Sequence, residues 1–221
     1  VMKMRTLSKV LLLAALPILM LASCQKWLPD HKLKTITIAP IDNPDEVHIF
    51  GSANIDQTDP NAPELLGGAG TYEGEFVTIR AAVKFDLDKL PANASIVSAR
   101  LTLYSNPTPL NGHDDVANSG PNNALLIQRI TSDWTASEVK WTNQPSATSD
   151  DEVVIPHTSE PFKDLKEIDV TDQVKNMIEE NANYGFLLRL QTEDAYNFRV
   201  FCSSKYSDSS KRPKLQITYK K

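Results

Sequence analysis

The chain has 221 residues, 41% of them hydrophobic, and 28 acidic against 23 basic side chains give it a formal net charge of −5. That is long enough for one well-buried core and too acidic for a nucleic-acid partner, which calls for a basic patch. Two cysteines are too few for a disulfide framework.

Lys3, Arg5 and Lys9 precede an apolar run, Val10–Leu21, that closes on Leu21-Ala22-Ser23-Cys24. The run is shorter than the roughly 20 residues a membrane span needs and fits the apolar region of a secretory signal. Leu-Ala-Ser-Cys resembles the lipobox of bacterial lipoproteins. That resemblance implies a diacylglyceryl group on the Cys24 thiol and cleavage just before it. The expected division is therefore a signal over residues 1–23, a polar tether over 24–34 and one domain over 35–221. The expected location is the cell envelope of a Gram-negative bacterium, lipid-anchored at the outer membrane. Cleavage removes three cations and no acid, so the net charge moves to −8. Trp27 falls in the tether. With Cys24 lipidated, Cys202 has no partner; it shares an inward parity with Phe198 and Val200 and reads as a buried, inert thiol.

Thr35–Ile38 and Glu46–Phe50 alternate as short strands around Pro40 and Pro44. Asn54–Ala69, with Asp59-Pro60, Pro63 and Gly67-Gly68, reads as loop. Phe76–Leu87 gives the clearest strand: Val77, Ile79, Ala81, Val83 and Phe85 take one face, and Thr78, Arg80, Ala82 and Lys84 the other. Val97–Tyr104 alternates in the same way. Ser105–Asn123 is a long polar loop of the kind that often carries function. Ala124–Ile130 returns to strand. In Ile130–Pro145, Trp134 and Trp141 read as core plugs, each with one N–H to satisfy; Glu138–Trp141 reads as a short edge piece. Ser146–Asp151 reads as loop and Val153–Ile155 as a brief strand. One helix follows, with Thr171 as N-cap, Asp172 in the first turn and Val174, Met177 and Ile178 on one face. Gly185–Gln191, Phe198–Cys202 and Lys214–Tyr219 supply the last strands. Many short strands with turn signals and one short helix predict an all-β sandwich or barrel.

Several blocks in this order resemble DNRLRE-domain proteins. They are Ala82-Val-Lys-Phe85-Asp-Leu87 with Leu90-Pro91 and Ser98-Ala99-Arg100-Leu101-Thr-Leu103-Tyr104; Asp133-Trp134 with Val139-Lys-Trp141-Thr-Asn143-Gln144-Pro145; Asp169-Val-Thr171; Asn183-Tyr-Gly185-Phe-Leu-Leu188; and Phe201–Ser204 with Arg212-Pro213-Lys-Leu215-Gln-Ile217-Thr-Tyr219. The similarity runs from about Glu46 to Tyr219. It implies a jelly-roll β-sandwich and overlaps with carbohydrate-binding module family 96, whose members are associated with polysaccharide-degrading systems, alginate among them. The loop Ser105–Asn123 is expanded relative to that pattern.

Neither a Gly-x-Ser-x-Gly, a His-Glu-x-x-His nor a Cys-x-x-Cys motif is present, and His48, His113 and His157 are scattered. The expectation is a protein that is not an enzyme. Asp56, Asp59, Asp114 and Asp115 offer oxygens of the kind calcium takes, but in no recognised loop motif; they read as solvated acids, with structural calcium the one cofactor left open. Tyr72, Tyr104, Tyr196 and Tyr206 are the exposed aromatic candidates for a sugar platform. Arg80, Lys84, Arg100 and Tyr104 carry outward parity on two strong strands, and if those strands are neighbours they form a basic, partly aromatic face for an acidic glycan. Two functions follow: a non-catalytic, polysaccharide-binding envelope lipoprotein, or a structural and adhesive module that holds partner proteins.

Overall fold

The computed structural model describes residues 32–40, 46–110 and 115–221. Cys24, Trp27, His113 and Asp114, singled out above, lie outside them. The strands, in chain order, are β1 (Leu33–Ile38), β2 (Glu46–Gly51), β3 (Asp56–Asp59), β4 (Glu64–Tyr72), β5 (Glu75–Val83), β6 (Ser95–Leu103), β7 (Asn118–Ser119), β8 (Leu125–Ile130), β9 (Ala147–Ile155), β10 (Leu165–Asp169), β11 (Phe186–Leu190), β12 (Asn197–Cys202) and β13 (Lys214–Lys220). The helix α1 (Thr171–Glu179) stands between β10 and β11.

The strands form two antiparallel sheets. The smaller has the order β1-β13-β6-β10. The larger runs β7-β12-β4-β5-β11-β8-β9, with β2 on the far edge of β5 and β3 beyond it. This is the all-β sandwich with one short helix that the alternation predicts. An isolated bridge between Ser105 and Phe201 joins the two sheets at one corner.

The main core lies between them. Leu101, Leu103, Leu215 and Ile217 from the small sheet meet Ala81, Val83, Leu125, Ile127, Phe186 and Leu188 from the large one. Phe85 and Phe186 meet edge to face, with centroids 6.2 Å apart. Val174 and Met177 of α1 close one end of this core, and Gln173 donates to the Ile127 carbonyl at 2.8 Å. Ile178 stays 39% exposed, so the helix buries a narrower face than its spacing suggests. Val170, not Thr171, is the N-cap; Thr171 is the first helical residue, its hydroxyl taken by Ala99 N–H and Asp169.

β5 divides one of its edges between two partners. β4 pairs with residues 75–79 and β11 with residues 81–83, while β2 pairs with residues 78–83 on the other edge. The β4 segment that has left β5 lies close against β8 and β11. A Cβ on Gly67 would fall 2.6 Å from Leu125 Cδ1 and 3.3 Å from the Arg189 carbonyl carbon. This is the reason Gly67-Gly68, expected in a loop, sits inside a strand: only a residue without a Cβ permits the approach.

A second apolar cluster covers the reverse face of the large sheet. Val47, Ala82 and Leu187 share a face by register, and Ile130, Trp134, Ala136 and Val139 pack over them. Trp134 is 8% exposed and its Nε1 donates to the Tyr184 carbonyl at 2.7 Å. It is the core plug expected; Trp141 is only half-buried. Glu138–Trp141 is a turn leading into a short 3-10 helix at Trp141–Asn143, not an edge strand. Ser146–Asp151, expected as loop, is mostly strand, because β9 begins at Ala147.

Candidate functional site

Arg80 and Lys84 belong to β5 and the residue just past it, Arg100 and Tyr104 to β6 and the residue just past it. β5 pairs with β2, β4 and β11, and β6 with β13 and β10. The two strands are in different sheets, so the four residues do not share a face. Arg80 is a staple: it donates to Glu193 at 2.8 and 2.9 Å and to Gln144 Oε1 at 3.0 Å, and its guanidinium lies 4.9 Å over the Trp141 ring. Lys84 Nζ stands 5.8 Å over Trp134. Arg100 pairs with Asp169 at 2.8 Å. Tyr104 has Lys166 and Lys214 at 5.8 and 5.3 Å from its ring, within cation–π range.

The alternation of β5 builds a different site. Val77, Ile79, Ala81 and Val83 point to one face of the strand. Ala81 and Val83 enter the main core, but Val77 and Ile79 run on beyond it and floor an open cleft of about 330 Å³. That is the small end of the range for ligand pockets, about 300–1,000 Å³. Phe50 on β2 sits opposite Ile79. Leu66 and Phe198 continue the floor across β4 and β12, and Leu110, 69% exposed, overhangs it from the long loop.

Two tyrosines stand at this cleft with their rings open to solvent, Tyr72 at 41% and Tyr196 at 48% exposure. Both are held in place. Tyr72 is the last residue of β4, opposite Glu75, and the Glu73-Gly74 turn behind it has both residues at positive φ, 52° and 85°, as a tight two-residue hairpin requires. Its ring meets Phe50 edge to face at 5.5 Å. Tyr196 has φ 63°, a left-handed conformation unusual for a side chain of this size and one that gathers at functional positions. Its N–H donates to the Ala69 carbonyl at 2.7 Å, and its hydroxyl lies 3.3 Å from Thr71 Oγ1.

The polar groups of the cleft are His48, Glu64 and Thr71. Glu64 is 5% exposed. Its Oε2 accepts from Asn106 Nδ2 at 2.9 Å and from Leu110 N–H at 3.1 Å, which pins the start of the long loop. Burial raises its carboxyl above the usual range, and the two hydrogen bonds work against that rise. His48 keeps a little surface, but its Nε2 is enclosed and has no partner. Burial pushes its imidazole down to about 4, against the charge of Asp59 and a hydrogen bond to the Glu64 backbone, so the ring is neutral at pH 7.

Two larger depressions, of about 790 and 800 Å³, flank the helix. Neither offers an exposed ring among the described residues, and the acids lining the second, among them Asp150, Asp169, Asp172 and Glu179, outnumber its two cations, Arg100 and Lys175. No group of three or more His, Cys, Asp or Glu side chains is arranged to hold a metal among the described residues. Asp56 is occupied structurally, accepting from Trp141 N–H at 2.7 Å and from the Thr142 hydroxyl at 2.8 Å.

Tyr72 and Tyr196 were legible as exposed aromatics. Their convergence was not, because the pairing that brings Thr71 to Tyr196 spans 125 residues. Phe50, Phe198 and His48 lie in strands whose local pattern marks them only as alternating positions, and Glu64 opens β4, in a stretch that reads locally as loop. Residues 71–219 match the model of carbohydrate-binding module family 96. No curated protein matches the chain.

Proposed function

We propose that this chain, which belongs to carbohydrate-binding module family 96, holds polysaccharide in the aromatic cleft and does not cleave it. The observation that carries the reading is the pair of fixed, solvent-open rings, Tyr72 and Tyr196, at a concavity that also presents Thr71 and Glu64. Flat rings stack on the C–H face of a pyranose, and a few placed polar groups set its orientation. The double variant Tyr72→Ala, Tyr196→Ala is expected to lose about tenfold in affinity per ring, the upper end of an aromatic contact, with the melting temperature kept because both rings are exposed. Pull-down on insoluble polysaccharides and calorimetry with soluble ones measure this. Parent-like binding in the variant would move the site elsewhere, and steady release of reducing ends or unsaturated products by the pure protein would overturn the non-catalytic reading.

An acidic chain such as alginate has a separate place to bind. On the outer face of the small sheet, Tyr104 stands between Lys166 and Lys214, and Arg100 is two alternating positions away. Arg100 is paired with Asp169 and Lys166 with Asp164, so a bound carboxylate competes with acids already there. The Arg80 and Lys84 half of the expected face does not contribute, since it lies on the other sheet.

The reading extends to placement. Lipid on Cys24 holds the module at the envelope surface, each buried CH₂ adding about 0.8 kcal/mol. Cys24→Ala is expected to release the protein from the membrane fraction and to abolish fatty-acid labelling; a parent protein that takes up no label would end this part of the proposal.

A further inference from the structure

We infer that the cleft admits uncharged sugar units and that Glu64 is the residue that turns carboxylated ones away. The inference rests on the reading of the cleft as a glycan site and names the chemical class it takes.

Among the described residues that line the cleft, none is a lysine or arginine. The ionisable groups are His48, Glu64, Tyr72 and Tyr196. His48 is neutral at pH 7 and supplies no cation. Glu64 carries the one carboxyl group among the described lining residues, in a nearly enclosed position, where its negative charge, when ionised, is felt more strongly than in open water. Asp59, on the neighbouring strand, adds a second negative charge felt at His48. A uronic acid entering the cleft loses hydration and meets no counter-charge among the described lining residues, which is the costly case for an ion. A neutral hexose loses only hydroxyl hydration, and Thr71 and Glu64 supply hydrogen-bonding groups in return. Discrimination here comes from the repulsive element as much as from the attractive one.

The geometry of Glu64 permits a clean test. Both of its hydrogen bonds fall on one oxygen, Oε2. In Glu64→Gln the amide oxygen occupies that place, keeps both bonds to Asn106 and Leu110, and puts an NH₂ where Oε1 stood. The loop stays pinned while the charge is removed.

The experiment compares neutral hexasaccharides (cellohexaose, mannohexaose, xylohexaose) with oligomannuronate and oligogalacturonate of equal length by calorimetry at pH 7. The cleft's share of binding is whatever Tyr72→Ala, Tyr196→Ala removes, which separates it from the Tyr104 face. The expected result is a cleft affinity for at least one neutral hexamer at least tenfold above that for either uronate, unchanged between 50 and 500 mM salt. In Glu64→Gln the ratio of neutral to uronate cleft affinity falls by about tenfold and the melting temperature stays. A tyrosine-dependent preference for uronates, or an unaltered ratio in a folded Glu64→Gln, overturns this inference and leaves the cleft as a glycan site. Absence of tyrosine-dependent binding to any hexamer overturns both readings at once.

Discussion

Trp134→Ala is expected to destabilise the fold by about 3–5 kcal/mol, the range for removing a large buried aromatic. The side chain is 8% exposed, sits at the centre of the cluster that seals the reverse face of the large sheet, and satisfies its one N–H on the Tyr184 carbonyl. Truncation leaves a cavity over Val47, Ala82 and Leu187 and strands that carbonyl. For a domain of this size each kcal/mol shifts the melting temperature by roughly 2–4 °C, so a drop of roughly 10 °C is the signal to look for. Trp141→Ala makes the internal comparison. That ring is half-buried and mainly supports the Arg80 guanidinium, so its loss should cost clearly less. Equal melting of the two variants would contradict the division between a buried plug and a half-buried ring.

Acidification from pH 7 to pH 4 should remove roughly 3 kcal/mol through His48 alone. Its folded value is about 4 against an ordinary 6.5. Between those values the unfolded chain takes up a proton that the folded one refuses. The contribution is thus fully present above pH 6.5 and is lost progressively as pH falls towards 4. Glu64 acts in the opposite sense. Its raised value favours the folded state at low pH and is lost as pH rises through it, so it offsets part of the decline. Asp56, Asp169 and Asp208, all held below the ordinary carboxylate range by hydrogen bonds, add their losses only below that range. Urea midpoints of the parent and of His48→Leu, compared from pH 4.5 to 7.5, isolate the histidine. The variant should show the shallower slope. Parallel curves would mean that the imidazole is not what titrates.

Most of the layer structure was legible because it obeys one local rule. The period of two in Val77–Phe85 and in Val97–Leu103 places the core face of β5 and β6 directly. Two strands were hidden for opposite reasons. β4 carries Gly67-Gly68, which locally signals a turn, but the glycines answer a long-range demand: Gly67 admits Leu125 and the Arg189 backbone, and Gly68 is covered by Phe198, 2.5 Å from where its Cβ would be. β9 carries Thr148-Ser-Asp-Asp-Glu152, which reads as loop by polarity. Among the described residues it is an edge strand paired only with β8, and acids on an open edge discourage pairing with other chains. The site was legible only as a set of ingredients. Alternation shows that Arg80 points outward; it does not show that Glu193, more than a hundred residues later, neutralises it. Nor does it show that the apolar face of β5 outlasts the core and becomes the floor of a cleft.

Among the described residues β1 is an edge strand paired with β13 alone, in six consecutive pairs from Leu33 opposite Lys220 to Ile38 opposite Leu215. The cleft is on the other sheet. If the glycan is held there and the chain is anchored ahead of residue 32, as proposed, tension between the two enters through an edge strand with one neighbour. The next described strand along the backbone is β2, which belongs to the large sheet and whose His48 and Phe50 line the cleft. The six-pair ladder to β13 is thus a mechanical fuse in series with the cleft: a pull from the N-terminal side is expected to strip β1 before the load reaches β2.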